Sequence, residues 1–169
     1  MHTTRRFWLI STALTAGGLA GCGFELRKPP SYAFKILYSS IPVASAVGVK
    51  FKRSLESSGQ VEVISDPREV ERAQVIFDQL FEVREKVVVG RTATGAIREF
   101  QLRLRYRFRL RSRNGIELIP DTEIVLNRDI NFNETGALSK ESEEALLYKD
   151  MENDLVLQLQ RRLAAIRQL

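Results

Sequence analysis

The sequence predicts an α+β two-layer sandwich: about four strands in a mixed or antiparallel sheet, with two helices on one face. Three observations carry that expectation. Residues 100–111, FQLRLRYRFRLR, alternate apolar and polar without a break, as a strand with one buried face does. Two other segments repeat apolar residues every three or four positions, which is the helical period. Asn114-Gly115 follows the alternating run directly, and that dipeptide is a strong hairpin signal.

The chain opens with Arg5 and Arg6, then FWLISTALTAGGLAG, Phe7 to Gly21, which has small residues and no charge. About 15 residues are too few to span a bilayer, which takes about 20. A basic start, an apolar middle and small residues at the end read as a secretory signal. The run closes Leu19-Ala20-Gly21-Cys22, which resembles the bacterial lipobox. That resemblance implies a diacylglycerol on the Cys22 thiol, cleavage before Cys22 and acylation of the new amino group. Several acyl chains hold a protein to a membrane far more firmly than one. Gly23, rather than Asp, follows the cysteine, and in the class this resembles that favours the outer membrane. Residues 1–21 are thus expected to be removed and 22–31 to form a lipidated tether, with Pro29-Pro30 favouring extension. Residues 32–169 are expected to form one domain.

Within that domain, residues 33–40 suit a first strand with Phe34, Ile36 and Tyr38 on one side. Residues 44–58 read as a helix, with Val47, Phe51 and Leu55 in an i, i+4 stripe and Gly59 placed to end it. VEVI, 61–64, suits a short strand, and DPREVERA, 66–73, a turn. Next, Val75, Phe77, Phe81, Val83, Val87 and Val89 occupy odd positions of one long strand. GRTATG, 90–95, supplies a loop before the alternating strand. A return strand runs from about 116 to 132, bent or interrupted near Pro120. Ser139 is placed to cap a closing helix of about 25 residues, whose stripe is Leu147, Met151, Leu155, Leu159 and Leu163.

Composition narrows the function. The chain has 169 residues and a net charge of +5; losing residues 1–21 leaves 148 residues and, without Arg5 and Arg6, +3. The one histidine, His2, and the one tryptophan, Trp8, lie in the segment expected to be removed, and the one cysteine is Cys22. No imidazole or free thiol then remains for a Ser-His-Asp or Cys-His site, or for a histidine/cysteine zinc site. Neither G-x-x-x-x-G-K-[ST] nor G-x-G-x-x-G occurs. A non-enzymatic protein without a cofactor or metal is the expectation.

The alternating strand places Arg103, Arg105, Arg107, Arg109 and Arg111 in a row on the face opposite Phe100, Leu102, Leu104, Tyr106, Phe108 and Leu110. One reading is a solvated face matched by acidic cross-strand neighbours such as Glu82, Glu117, Asp121 and Glu123. The other is a basic surface that meets phosphate or carboxylate, which a guanidinium fork matches. In a cell envelope the abundant phosphorylated polyanion is lipopolysaccharide; nucleic acid is not an expected partner there. A membrane-spanning barrel fails on strand number, since closure takes about eight.

The lipobox followed by CGFELR, then IREFQLRLRYRF and ALSKESEEALLYKDMENDLVLQLQRRLAAIR in this order, resembles the LptE family of lipopolysaccharide-assembly lipoproteins. The resemblance implies an outer-membrane lipoprotein that plugs and helps assemble the LptD barrel and binds lipopolysaccharide on its way to the outer leaflet. It also implies candidate lipopolysaccharide contacts at Lys140, in the A-L-x-K match, and at Arg91 and Arg98 flanking the 90–95 loop. A different envelope lipoprotein, acting as an activator or accessory subunit of a peptidoglycan or lipid-transport complex, is the competing reading.

Overall fold

The computed structural model describes residues 30–132 and 137–169. In chain order these form β1 (Ile36–Ser39), α1 (Ala46–Glu56), β2 (Glu62–Ile64), a 3-10 turn (Pro67–Arg72), β3 (Val75–Arg91), β4 (Ile97–Ser112), β5 (Glu117–Asn131) and α2 (Ala137–Ala164). The α+β class is the one the sequence predicts, with five strands rather than about four. Their order is β2-β1-β3-β4-β5. β1 is parallel to both β2 and β3, and β3, β4 and β5 form an antiparallel meander. The additional strand is the three-residue β2 at the sheet edge, which falls within the short strand expected at 61–64.

One apolar core joins the layers. Leu102, Leu104, Tyr106, Phe108 and Leu110 of β4 meet Val47, Phe51 and Leu55 of α1 and Met151, Leu155, Leu159 and Leu163 of α2. Both helices therefore lie on the face opposite the arginines. Phe77 bridges the layers, with its ring 4.9 Å from that of Phe51 and 5.1 Å from that of Phe108. Each such side chain contributes about 1.5–3 kcal/mol through burial. Ser45 caps α1, its Oγ accepting from the Gly48 amide at 2.9 Å.

Four expectations change. In β1 the core side holds Leu37 and Ser39, while Ile36 and Tyr38 are only partly buried; Phe34 is buried from the segment before the strand. In β3 the alternation is broken by a bulge: Gln79 pairs with Phe108 but Phe81 with Arg107, leaving Leu80 as an extra residue. Val75 and Phe77 thus face the core, whereas Phe81, Val83 and Val87 share the arginine face, and Glu82, Arg84 and Lys86 turn toward the helices. Pro120 does not interrupt β5. It sits where the β4–β5 register shifts between Phe108 and Leu110, on an edge strand, so its missing N–H costs no ladder bond. Finally, α2 starts at Ala137, so Ser139 lies inside the helix; residues 133–136, before its first turn, are outside the described residues.

Candidate functional site: the hairpin end and the arginine face

Two hairpins set the ends of the meander, and both use one turn. At 92–96 the Thr92 amide donates to Ala96 O at 2.8 Å and the Gly95 amide to Thr92 O at 2.9 Å. At 112–116 the Ser112 amide donates to Ile116 O at 2.8 Å and the Gly115 amide to Ser112 O at 3.0 Å. Gly95 and Gly115 have φ of 85° and 86°, the left-handed bulge position of three-residue hairpins.

Arg91 and Arg98 stand on either side of the first hairpin, both exposed. Arg91 Nη1 donates to Gly95 O at 3.0 Å, bracing the loop. Lys140 lies in the first turn of α2, its Nζ 2.7 Å from Glu143. α2 runs antiparallel to β3: Glu144 meets Lys86 at 2.6 Å, Tyr148 Oη donates to Glu85 O at 2.9 Å, and Glu152 meets Arg84 at 2.7 Å. The first turn of α2 is therefore its end nearest the 92–96 hairpin. Lys140, Arg91 and Arg98 share that end of the molecule, though no hydrogen bond or ion pair among the described residues links them. An open cleft of about 640 Å³ lies between β3 and the first turns of α2, lined by Arg84, Lys86, Glu141, Glu144, Ala145 and Tyr148 and by none of these three cations. β1 pairs only with 75–77, so beyond that point α2 and its Tyr148 shield the edge of β3 that β1 leaves open.

On the far face, carboxylates flank the arginine row. Arg105 reaches Glu123 at 2.7 Å and Glu85 at 3.7 Å. Arg107 is bound by Asp121. Arg109 and Arg111 both donate through Nε to Asp78 at 2.9 Å. Arg103 donates to Gln101 at 2.8 Å, and Gln101 in turn to Asp129 at 3.0 Å. The Arg105 and Arg107 guanidiniums also lie 5.6 and 6.0 Å from the Phe81 ring centre. Burial raises the Asp78 pKa, but the hydrogen bonds and charges of Arg111 and Arg109 outweigh it and hold the carboxyl below its usual range. Hydrogen bonding to Arg107 likewise lowers Asp121. Asp121 and Glu123 are partners the sequence suggested. Asp78 and Glu85 were missed: Asp78 precedes the bulge and lies on this face by simple alternation with Phe77, whereas Glu85 reaches it only because of the bulge at Leu80. Glu82 is on the other face, opposite Tyr106, where burial raises its pKa. Glu117 stands opposite Arg111 in the register but forms no ion pair among the described residues.

Under α2 lies a polar seam that periodicity did not reveal. Glu152, with 5% of its side chain exposed, accepts from Lys50 of α1 and Arg84 of β3, each at 2.7 Å. Asp154 binds Arg128 of β5. Lys86 lies over the Phe100 ring at 4.5 Å. The Tyr106 hydroxyl and Gln79 Oε1 are buried without a partner, and burial raises the Tyr106 pKa. Among the described residues no cluster of His, Cys, Asp or Glu has metal-ligand geometry, and no helix is long and apolar enough to cross a membrane. Cys22 and the 1–29 segment, with the signal and most of the tether expected there, lie outside the described residues.

This arrangement of a βαβ unit, a long antiparallel meander and a closing helix is the fold of a set of small bacterial lipoproteins. The chain is 32% identical to an uncharacterized lipoprotein B from Nitrosomonas europaea, solved by NMR, with a TM-score of 0.69 over 85% of this chain and 91% of that one. A minor lipoprotein from Acinetobacter baumannii (16% identity, 80% and 94% covered, TM-score 0.62) and the rare lipoprotein B from Shewanella oneidensis (20%, 73% and 91%, 0.56) share the fold. No curated protein sequence matches. The family model LptE, lipopolysaccharide-assembly, matches residues 34–163, and the chain belongs to that family.

Proposed function

We propose that this protein is a lipid-anchored subunit of the outer-membrane lipopolysaccharide exporter, seated in the LptD barrel and contacting lipopolysaccharide through its 92–96 hairpin end. Membership of the LptE lipopolysaccharide-assembly family carries the reading. Geometry supports it in two ways. β3 has 17 residues, so the meander is about 55 Å long at about 3.3 Å per residue. That exceeds the roughly 30 Å hydrocarbon core of a bilayer. A domain tethered at one end to the inner leaflet of the outer membrane therefore has the reach to present its other end, with Lys140, Arg91 and Arg98, at the outer leaflet. The second support is the arginine face. Asp78, Glu85, Asp121, Glu123 and Asp129 stand beside its five guanidiniums, giving a polar, nearly charge-balanced wall suited to a polar barrel lumen. The role is fitting and gripping, with no bond made or broken.

The test combines a partner assay with a ligand assay. The wild-type protein should retain a large barrel through detergent washes. Lys140→Asp with Arg91→Asp should weaken lipopolysaccharide binding while barrel retention and the folded spectrum stay unchanged. Unchanged binding removes the site assignment; failure to retain a barrel removes the partner.

A further inference from the structure

The end of the domain opposite the 92–96 hairpin carries cations that the function above does not use. α2 ends there, with Arg161 and Arg162 in its last turn and Arg167 just beyond, all three exposed. Gln160, one residue earlier, donates to Ser54 O near the end of α1 at 3.0 Å and lies beside Tyr32. The exposed Lys35 and Arg113 meet at Gln74: the Lys35 amide donates to its side chain at 2.6 Å, and the Arg113 amide to its carbonyl at 3.2 Å. Arg113 belongs to the second hairpin, whose next residues end in Ile116, an isoleucine 60% exposed. Of the nearby acids, Asp66 is engaged by Arg68, and Glu62 and Glu69 by Arg72. Glu71, whose carbonyl accepts from Arg113 Nη1 at 3.0 Å, and Glu117 beside Ile116 form no ion pair among the described residues, so five cations face two free carboxylates there. Among the described residues, Lys35, Arg113, Arg161, Arg162 and Arg167 have no ion-pair partner. A cation at a helix C-terminus suits the dipole, but three arginines within seven residues exceed what one helix end requires.

The described chain begins at this same end, at Pro30. Residues 22 to 30 reach at most about 30 Å when fully extended. An acylated Cys22 thus holds this end close to a bilayer, while the other hairpin lies about 55 Å along β3. We propose that Lys35, Arg113, Arg161, Arg162 and Arg167, with Ile116 at their margin, form a docking surface for the anionic phospholipid headgroups of the anchoring leaflet. The tether delivers this end to the membrane, and the basic collar then fixes the tilt of the domain upon it. A basic residue near an anionic bilayer contributes about 1 kcal/mol, or roughly five-fold in binding per residue. Screening weakens it as the Debye length falls from about 8 Å at 0.15 M salt to about 3 Å at 1 M. The proposal depends on acylation of Cys22, which mass spectrometry of the N-terminal peptide checks in the same preparation; an unmodified cysteine overturns it.

The chain has one cysteine, so in the acylated protein Asn114→Cys offers the only free thiol for a fluorophore. Acylated full-length protein is inserted into vesicles of phosphatidylcholine alone, or of three parts phosphatidylcholine to one part phosphatidylglycerol, each with a headgroup-level quencher. The proposal expects quenching at position 114 in the anionic vesicles, several-fold less in the neutral ones, and loss of the difference at 1 M salt. Arg161→Glu with Arg162→Glu and Arg167→Glu should abolish it while circular dichroism stays native. A label at Ala93→Cys in the other hairpin should remain unquenched. Equal quenching in both vesicles, indifference to the triple substitution, stronger quenching at 93, or quenching only when lipopolysaccharide replaces phosphatidylglycerol each overturns the proposal.

Discussion

Glu152 of α2 and Lys50 of α1 lie 102 positions apart in the sequence and meet at 2.7 Å, with the same carboxylate also holding Arg84 of β3. Three elements thus converge on one nearly buried charge. Removing the carboxylate leaves two cations without their partner, although both retain some access to water. Glu152→Ala should cost about 2–3 kcal/mol. Urea unfolding should show a lower midpoint with an unchanged slope. A double-mutant cycle with Lys50→Ala should give a coupling above about 0.5 kcal/mol; additive losses would show that the pair acts independently.

Asp78 and Glu82 are four residues apart on β3 yet titrate in opposite directions. Asp78 is held below its usual pKa because Arg111 and Arg109 outweigh its burial. Its contribution is present above the unfolded value near 3.9 and is lost as pH falls through the lower folded value. Asp78→Asn should therefore destabilise by about 1 kcal/mol at pH 7, with the gap closing below about pH 4. Glu82 is raised, by burial first and then by the Glu152 charge, against the opposing pull of Arg84. The folded state there favours the protonated form, so the cost is present above the folded pKa and vanishes as pH falls below the unfolded one. Glu82→Gln should raise the midpoint at pH 7 and lose that advantage in acid. Paired melts between pH 3 and pH 8 would reveal either sign.

Phe108 is fully buried and stacks on Phe77. Truncating it leaves a hole between the sheet and α1 that rigid neighbours fill only in part. Phe108→Ala should cost about 3–5 kcal/mol, and Phe108→Leu much less. Equal losses in the two variants, measured in urea, would place the cost elsewhere than in the cavity.

Gly95 and Gly115 each have open space where a Cβ would go, so their demand is for backbone angle and not for room. Alanine at either should cost about 1 kcal/mol, and asparagine less, because asparagine tolerates the left-handed region. Thermal melts of the four single variants would check the ranking.

β4 and both helices could be read directly because each repeats one period for ten residues or more, and a single buried face imposes that period. The hairpin at Asn114-Gly115 was equally plain. β3 was not. Its apolar residues at odd positions look like one face, but Leu80 shifts the phase, and an apolar residue inside an apolar-rich run gives no mark of a bulge. That one residue decides that Glu85 and not Glu82 meets the arginines, so Glu85 was not legible, while Asp121, Glu123 and Asp78 follow from plain alternation and only Asp78 was overlooked. The seam of Lys50, Arg84 and Glu152 joins segments too distant in sequence for any local pattern to connect. Lys140, Arg91 and Arg98 came from family likeness rather than from periodicity. Their placement at one end follows from the antiparallel course of α2, which no short window of sequence reveals.

The extra residue at Leu80 gives the stretches of β3 on its two sides opposite phase in the sequence. Deleting Leu80 alone would only close the bulge: Gln79 would be followed directly by Phe81 and the alternation would run on unbroken. Phe81, Val83 and Val87 would keep the arginine face, and Glu82, Arg84 and Lys86 would stay beneath the closing helix. A deletion a few residues further on, at Val83 for instance, removes a paired residue instead, and should exchange the two faces from there toward the hairpin.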